Sequence, residues 1–207
     1  MADFVTRDPT QPAFWDERFA ADFTPWDARG APPAFLRWLE AAGLGAGARV
    51  LIPGCGAAYE AAALDARGAE VLAIDYSPEA IERARGQLPQ ALAGRVLRQA
   101  DFFTFDTAPF NWIYERAFLA ALPPGLWQRW AQRCAQLLQP GGAIAGFFFV
   151  DDAAADPRRG PPFAITSAEL QRLLADAFDQ VQDLPVPAAE SLPVFAGRER
   201  WLQWRRR

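Results

Sequence analysis

The chain is predicted to fold as an α/β sandwich: an open, mostly parallel sheet of about seven strands with helices on both faces and an antiparallel edge. Three features predict this. Short apolar runs of strand type alternate with amphipathic helical stretches along the 207 residues, without an internal repeat. Residues 49–75, RVLIPGCGAAYEAAALDARGAEVLAID, read as an apolar strand, a tight turn carrying Gly54 and Gly56, a helix, and a second strand that ends on Asp75. The last two strand-like segments, 180–184 and 198–205, come after the final helix and read as the antiparallel edge.

Taken in order, residues 11–20 place Phe14, Trp15, Arg18 and Phe19 at helical spacing, and a Pro- and Gly-rich loop with Trp26 in it follows at 24–33. A helix from Pro33 is expected to bury Phe35, Leu36 and Leu39 and to stop at Gly43. After the 49–75 unit, Ser77 and Pro78 supply an N-cap and a first-turn proline for PEAIERARGQL. A short strand within 95–105 ends on Asp101, Phe102 and Phe103, and residues 112–115 form a buried strand followed by a loop. The helix over PPGLWQRWAQRCAQLL presents Leu126, Trp130, Cys134 and Leu137 or Leu138 on one face, and Pro140, Gly141 and Gly142 end it. AIAGFFFV at 143–150 is a strand of buried type; a polar insertion with Asp151, Asp152, Asp156 and GPPF leads to a helix that Ser167 caps.

Composition narrows the chemistry. With 51% hydrophobic residues the chain is long enough for one core and too short for two comfortable ones. A net charge of −4 and an isoelectric point near 5.0 argue against nucleic acid as a partner, and Arg205, Arg206 and Arg207 read as a solvated tail. No run approaches the roughly twenty apolar residues of a membrane span. The segment around Asp3, Arg7 and Asp8 lacks the core of a signal peptide, so a cytoplasmic protein is expected. Cys55 and Cys134 make no disulfide framework or metal site, and Cys55 reads as a small turn residue rather than a nucleophile. The chain contains no histidine, which removes histidine triads, histidine-ligated metals and the commonest general base together.

The 49–75 unit is that of a nucleoside site, with the acid spaced from the glycines as a ribose ligand would be. Tyr59 stands where a dinucleotide turn needs its third glycine, and no phosphate-loop lysine is present. A nucleoside without phosphate, S-adenosylmethionine, suits these residues. Asp75 would hold the ribose, with Tyr76 and Ser77 beside it; Pro53, Gly54, Cys55 and Gly56 would underlie the amino-acid tail; Asp101 and Phe102 would clasp the adenine.

The segments FWDERF, TPWDARGAPP, RVLIPGCGAAYE, IDYSPEAIERAR, ADFFTF, IYERAFLAALPP and GPPF occur in an order that resembles the thiopurine S-methyltransferase family, which includes plant-type thiol and halide methyltransferases. The resemblance implies the class I methyltransferase sandwich, S-adenosylmethionine as methyl donor, S-adenosylhomocysteine as product, and a single domain over 1–207 whose residues 1–45 cover the cofactor. It implies that Trp15 and Trp26 are covering aromatics and that Glu115 and Arg116 pass beside the methyl donor, as cofactor-contacting or catalytic groups. Three departures accompany it: Asn111 where the family carries Asp, Ala58 at a glycine of the turn, and Trp127 where an arginine is common. GPPF looks like the Asn-Pro-Pro-Phe signature of amino-group methyltransferases but lies one strand too late, and is expected to border the acceptor pocket. Tyr59, Phe149, Asp152 and Phe163 are the acceptor-side candidates.

Methyl transfer from a sulfonium to a soft anion needs alignment and exclusion of water more than proton transfer, which suits a chain without histidine. The expected acceptor is a small-molecule thiol or thiopurine sulfur. Tellurite, selenite or halide would satisfy the same chemistry, and a cofactor-binding protein without catalysis is the reading outside enzymes.

Overall fold

The structure, a computed structural model, describes residues 4–42, 44–154, 156 and 159–207. Two helices come first, α1 (Pro12–Ala20) and α2 (Pro33–Ala41), each begun by proline in its first turn, where the missing N–H is no loss. The expected stop at Gly43 lies outside the described residues. Then follow β1 (Arg49–Pro53), α3 (Tyr59–Asp65), β2 (Glu70–Asp75), α4 (Pro78–Gln87), α5 (Gln90–Val96), β3 (Leu97–Gln99) and β4 (Phe110–Arg116). The chain closes with α6 (Phe118–Ala121), α7 (Trp127–Leu137), β5 (Leu138–Phe149), α8 (Ser167–Leu174), β6 (Phe178–Pro185) and β7 (Glu199–Arg206).

The seven strands form one sheet in the order β3-β2-β1-β4-β5-β7-β6. β1 to β5 run parallel, and β7 pairs antiparallel with both β5 and β6, so the antiparallel edge stands where the sequence puts it. Strand order reverses beside β1, and ligands of such sheets lie at the C-terminal ends of the strands there.

Alternating side chains divide the sheet into two buried faces. Leu51, Ile74, Ile113, Ile144 and Phe148 pack against α7 and α8 through Trp130, Cys134, Leu170 and Leu174. Val50, Ile52, Ala73, Tyr114 and Phe147 face α2, α3, α4 and α5. On this second side Trp38 of α2 lies 5.3 Å from both Trp112 of β4 and Trp201 of β7, measured between ring centroids, and joins three distant segments. Gly146 marks the closest approach of β4 and β5: a Cβ there would sit 1.9 Å from the Glu115 carbonyl oxygen.

Several local expectations change. Leu36 is exposed and Trp38 takes its place, because the buried stripe of α2 runs through Phe35, Trp38 and Leu39. A short helix, α6, stands where a loop was expected, and α5 leads into the short strand expected within 95–105, which is β3. α7 passes into β5 at Leu138, and Pro140, Gly141 and Gly142 lie inside the strand, at the register shift opposite Phe110 and Trp112. Thr166, not Ser167, caps α8: its hydroxyl accepts the Glu169 N–H at 3.1 Å, while Ser167 donates to Asp152. Among the described residues no helix is long and apolar enough to cross a membrane.

Candidate active site

One large cavity, of about 1210 Å³, opens at the C-terminal ends of β1, β2 and β4. Its floor is the turn after β1. Gly54 and Gly56 have φ of +57° and +49°, a region that glycine enters without penalty. A Cβ on Gly54 would lie 2.4 Å from the Phe118 ring, so the turn needs glycine for space as well. Ala58, at the departure noted above, adopts φ 53° and leads into α3. The left-handed conformation is therefore kept without glycine, at a cost of about 1–2 kcal/mol.

Asp75 ends β2 beside this floor. Its carboxylate accepts the Gly56 N–H at 3.2 Å and the Ser77 N–H at 3.0 Å. Burial pushes its pKa up to about 6, against the pull of these N–H groups in the other direction. At the outer end, Asp101 and Phe102 line the wall, and an Asp101 oxygen takes the Phe103 N–H at 2.8 Å. Tyr76 also lines the cavity, and its hydroxyl donates to the Pro9 carbonyl at 2.8 Å, tying the N-terminal segment to β2.

The roof is aromatic. Trp15 meets Trp26 edge-on at 5.4 Å, and Phe19 meets Trp26 at 5.9 Å. Trp15 donates its indole N–H to the Pro9 carbonyl at 2.9 Å. α1 is anchored to α4 by the Ser77 hydroxyl, which donates to Asp16 at 2.5 Å, while Arg83 reaches Asp22 at 2.8 Å and Asp27 at 3.3 Å.

Of the expected site residues, Trp15, Trp26, Pro53, Gly54, Cys55, Gly56, Tyr59, Asp75, Tyr76, Asp101, Phe102 and Arg116 meet in this cavity. Ser77 stands behind the wall, fully buried, where its hydroxyl caps α4. Glu115 alternates to the opposite face of β4 from Tyr114 and Arg116. Its carboxylate accepts the Leu119 N–H at 2.9 Å and braces α6, and burial raises its pKa to about 8. The cavity does not receive Phe149, Asp152 or Phe163. Phe149 packs on Phe195, Asp152 holds the start of α8, and Phe163 joins the α7 core while its N–H meets the Ala120 carbonyl. From that insertion, Gly160, Pro161 and Pro162 form the wall instead. Burial raises the Cys55 thiol pKa, and the nearby Asp75 adds to the shift, so the thiol is held protonated.

Arg116 is the strongest charge at the inner end. Its guanidinium lies over the Phe147 ring at 4.4 Å and 3.6 Å from Glu199, yet neither terminal nitrogen has a hydrogen-bond partner. Sequence reasoning missed Glu60, Asp27 and Arg129, which also line the cavity. Glu60 belongs to the GAAYE run, and an acid one residue into a helix after a ligand-binding turn was a usable signal. Arg129 stacks on Phe103 at 4.5 Å, two positions beyond Trp127. Trp127 itself is buried and donates to the Leu122 carbonyl. Asn111 accepts the Arg49 N–H at the far end of β4, outside the cavity.

The model of the thiopurine S-methyltransferase family matches residues 10–207. The chain belongs to the thiopurine S-methyltransferase family. It is an S-adenosylmethionine-dependent methyltransferase. Among similar curated proteins, probable thiol methyltransferase 2 of Arabidopsis thaliana is 34% identical over 77% of this chain and 70% of its own length. Thiocyanate methyltransferase 1 of the same plant is 26% identical over 93% of this chain and 84% of its own. The fold is also that of the 1,6-didemethyltoxoflavin-N1-methyltransferase of Burkholderia thailandensis, solved with S-adenosylhomocysteine, with a TM-score of 0.74 at 22% identity, covering 99% of this chain and 93% of the other.

Proposed function

We propose that this family member transfers its methyl group to the ionised sulfur of a small aromatic or alkyl thiol. The observation that carries the reading is Arg116, a guanidinium on the cavity wall that is paired with Glu199 at 3.6 Å but has no hydrogen bond to either terminal nitrogen, in a cavity that Pro161, Pro162, Val194 and Phe195 also line. A bound anion with an apolar body would satisfy the cation and fill that wall, and the paired charge would be worth more there than in water. Relatives named for thiol, thiocyanate and thiopurine acceptors support a soft sulfur.

The cavity suits the methyl donor. Gly56 has room, since the nearest atom to a Cβ there is on Phe19 at 3.8 Å, and Asp75 has acceptor capacity left for ribose hydroxyls. In this reading Pro53 to Gly56 carry the amino-acid tail, and Asp101 and Phe102 flank the adenine. Trp15 and Trp26, with the rest of residues 4–42, cover the cofactor as part of one catalytic unit. When bound, the donor supplies an electrophilic methyl on a sulfonium. The protein's share is to align the acceptor sulfur, hold its charge with Arg116 and keep water out with the aromatic roof. A cytoplasmic location goes with this reading, since both cysteines are free thiols.

Purified protein with S-adenosylmethionine, assayed over benzyl mercaptan, a thiopurine, thiocyanate, iodide and tellurite, tests the reading. Methylated thiols should dominate by mass spectrometry. Turnover of iodide or tellurite with none of the sulfur acceptors would overturn it.

A further inference from the structure

We propose that Glu60 is the general base that takes the proton from the thiol acceptor. The inference rests on the soft-sulfur reading and assigns the residue that makes a neutral thiol reactive.

Four carboxylates line the cavity, and three already have other partners. Asp75 takes two backbone N–H groups, Asp101 takes the Phe103 N–H at the outer end, and Asp27 takes the Tyr59 hydroxyl and Arg83. Glu60 is different. Only 7% of it is exposed, it forms part of the cavity wall, and the one side chain that donates to it among the described residues is Tyr114, whose hydroxyl meets Oε1 at 3.1 Å. Its own backbone N–H also reaches the carboxylate, and among the described residues no side chain donates to Oε2. The charges around it come from each packed element: Arg116 of β4, with Glu199 of β7 behind it, and Asp27 of the loop before α2, whose partner Arg83 belongs to α4. Burial raises the Glu60 pKa, while Arg116, the residue's own backbone N–H and the Tyr114 hydroxyl oppose the shift.

In the step proposed, the thiol S–H bond breaks, the proton passes to Glu60 Oε2, and the electron pair stays on sulfur beside Arg116. In the methyl transfer that follows, this pair forms the new S–CH3 bond while the sulfonium C–S bond breaks, its pair remaining on the donor sulfur. Glu60 then returns the proton to water. A chain without histidine thus places a carboxylate where the proton must go.

The test compares two acceptors in wild type and Glu60→Gln: benzyl mercaptan, a weak acid, and 4-nitrothiophenol, which is ionised before it binds. With benzyl mercaptan, kcat/KM should fall by about 10²-fold or more, the usual share of a general base. With 4-nitrothiophenol it should stay close to wild type, and cofactor affinity measured by calorimetry should be unchanged. Tyr114→Phe removes a donor to the anion, so the acidic limb of the benzyl mercaptan pH profile should move to higher pH. Equal losses for both thiols together with weaker cofactor binding would assign Glu60 to the cofactor tail and overturn the proposal. Retained activity of Glu60→Gln on benzyl mercaptan, or an unmoved limb in Tyr114→Phe, would also sink it. If wild type methylates neither thiol, the soft-sulfur reading itself fails.

Discussion

In the proposed ribose site Asp75 meets two opposed requirements, burial and ionisation. With a folded pKa of about 6 against 3.8 unfolded, its ionisation opposes folding by ~3 kcal/mol. The native state holds the proton more tightly, so this stabilising share is fully present below the unfolded pKa and is lost as pH rises through 6. Cofactor affinity should run the other way. It should rise as pH rises through 6 and level off above, and Asp75→Asn should flatten the profile while weakening binding by about 1.5–3 kcal/mol. Calorimetry with S-adenosylhomocysteine between pH 5 and 8 reads both, and a profile unchanged by the substitution would remove Asp75 from the ribose site. Glu115 raises the same question without a ligand. Its pKa near 8 means that its stabilising share is fully present below the unfolded value of 4.5 and is lost as pH rises through 8, because the unfolded carboxyl ionises while the folded one keeps its proton. Glu115→Gln keeps the acceptor for the Leu119 N–H and cannot ionise. Its melting temperature should therefore gain on wild type between pH 6 and pH 9; an equal gap at both would show that Glu115 is already ionised in the folded protein at pH 6.

At the scale of elements, the roof and the floor have different origins. The floor turn follows from local chemistry, glycine where φ is positive and where Phe118 leaves no space for a Cβ. The roof depends on α1, through Asp16, and the loop after it, through Asp22 and Asp27, reaching Ser77 and Arg83 at α4, pairs separated by 56 to 61 residues in sequence. Trp26 sits on a loop and is half-buried against Trp15 and Phe19. Trp26→Ala removes edge-on ring contacts worth about 0.5–1.5 kcal/mol each. Methyl transfer should drop by roughly tenfold, since each 1.4 kcal/mol is a factor of ten, while the fold persists. A collapse of the melting temperature would make Trp26 a core residue instead.

On the scale of the molecule, one sheet carries two cores, and the wall of the site is the seam between them. Tyr114 and Arg116 look toward α2 and α3, while Glu115 looks toward α6. Trp38 ties α2 to strands β4 and β7, and its removal should be felt across the sheet. Trp38→Ala should cost about 3–5 kcal/mol in chemical denaturation. The cavity floor, built from β1 and β2, should retain cofactor binding in the folded fraction.

Much was legible before folding. Strand periodicity, proline and glycine positions and the acid after the second strand determined the sheet, its antiparallel edge, the glycine floor and Asp75, because each rests on contacts within a few residues or on a period of two or 3.6. The order of motifs carried the family. What a strand does with three successive polar side chains was beyond that reach. Glu115 and Arg116 are neighbours in sequence and face opposite cores, so one braces a helix while the other meets the cavity. Phe149, Asp152 and Phe163 lie close in sequence to the wall and were withdrawn from it by partners 15 to 46 residues away, Ser167, Ala120 and Phe195. Glu60 entered the site only because Tyr114 and Arg116 came to it across more than fifty residues. The sequence by itself determined the glycine turn and Asp75, the proposed cradle of the methyl donor, through local backbone chemistry. The tertiary structure alone decided the end proposed for the acceptor, because there each charge is set by burial and by partners that only the folded sheet brings together.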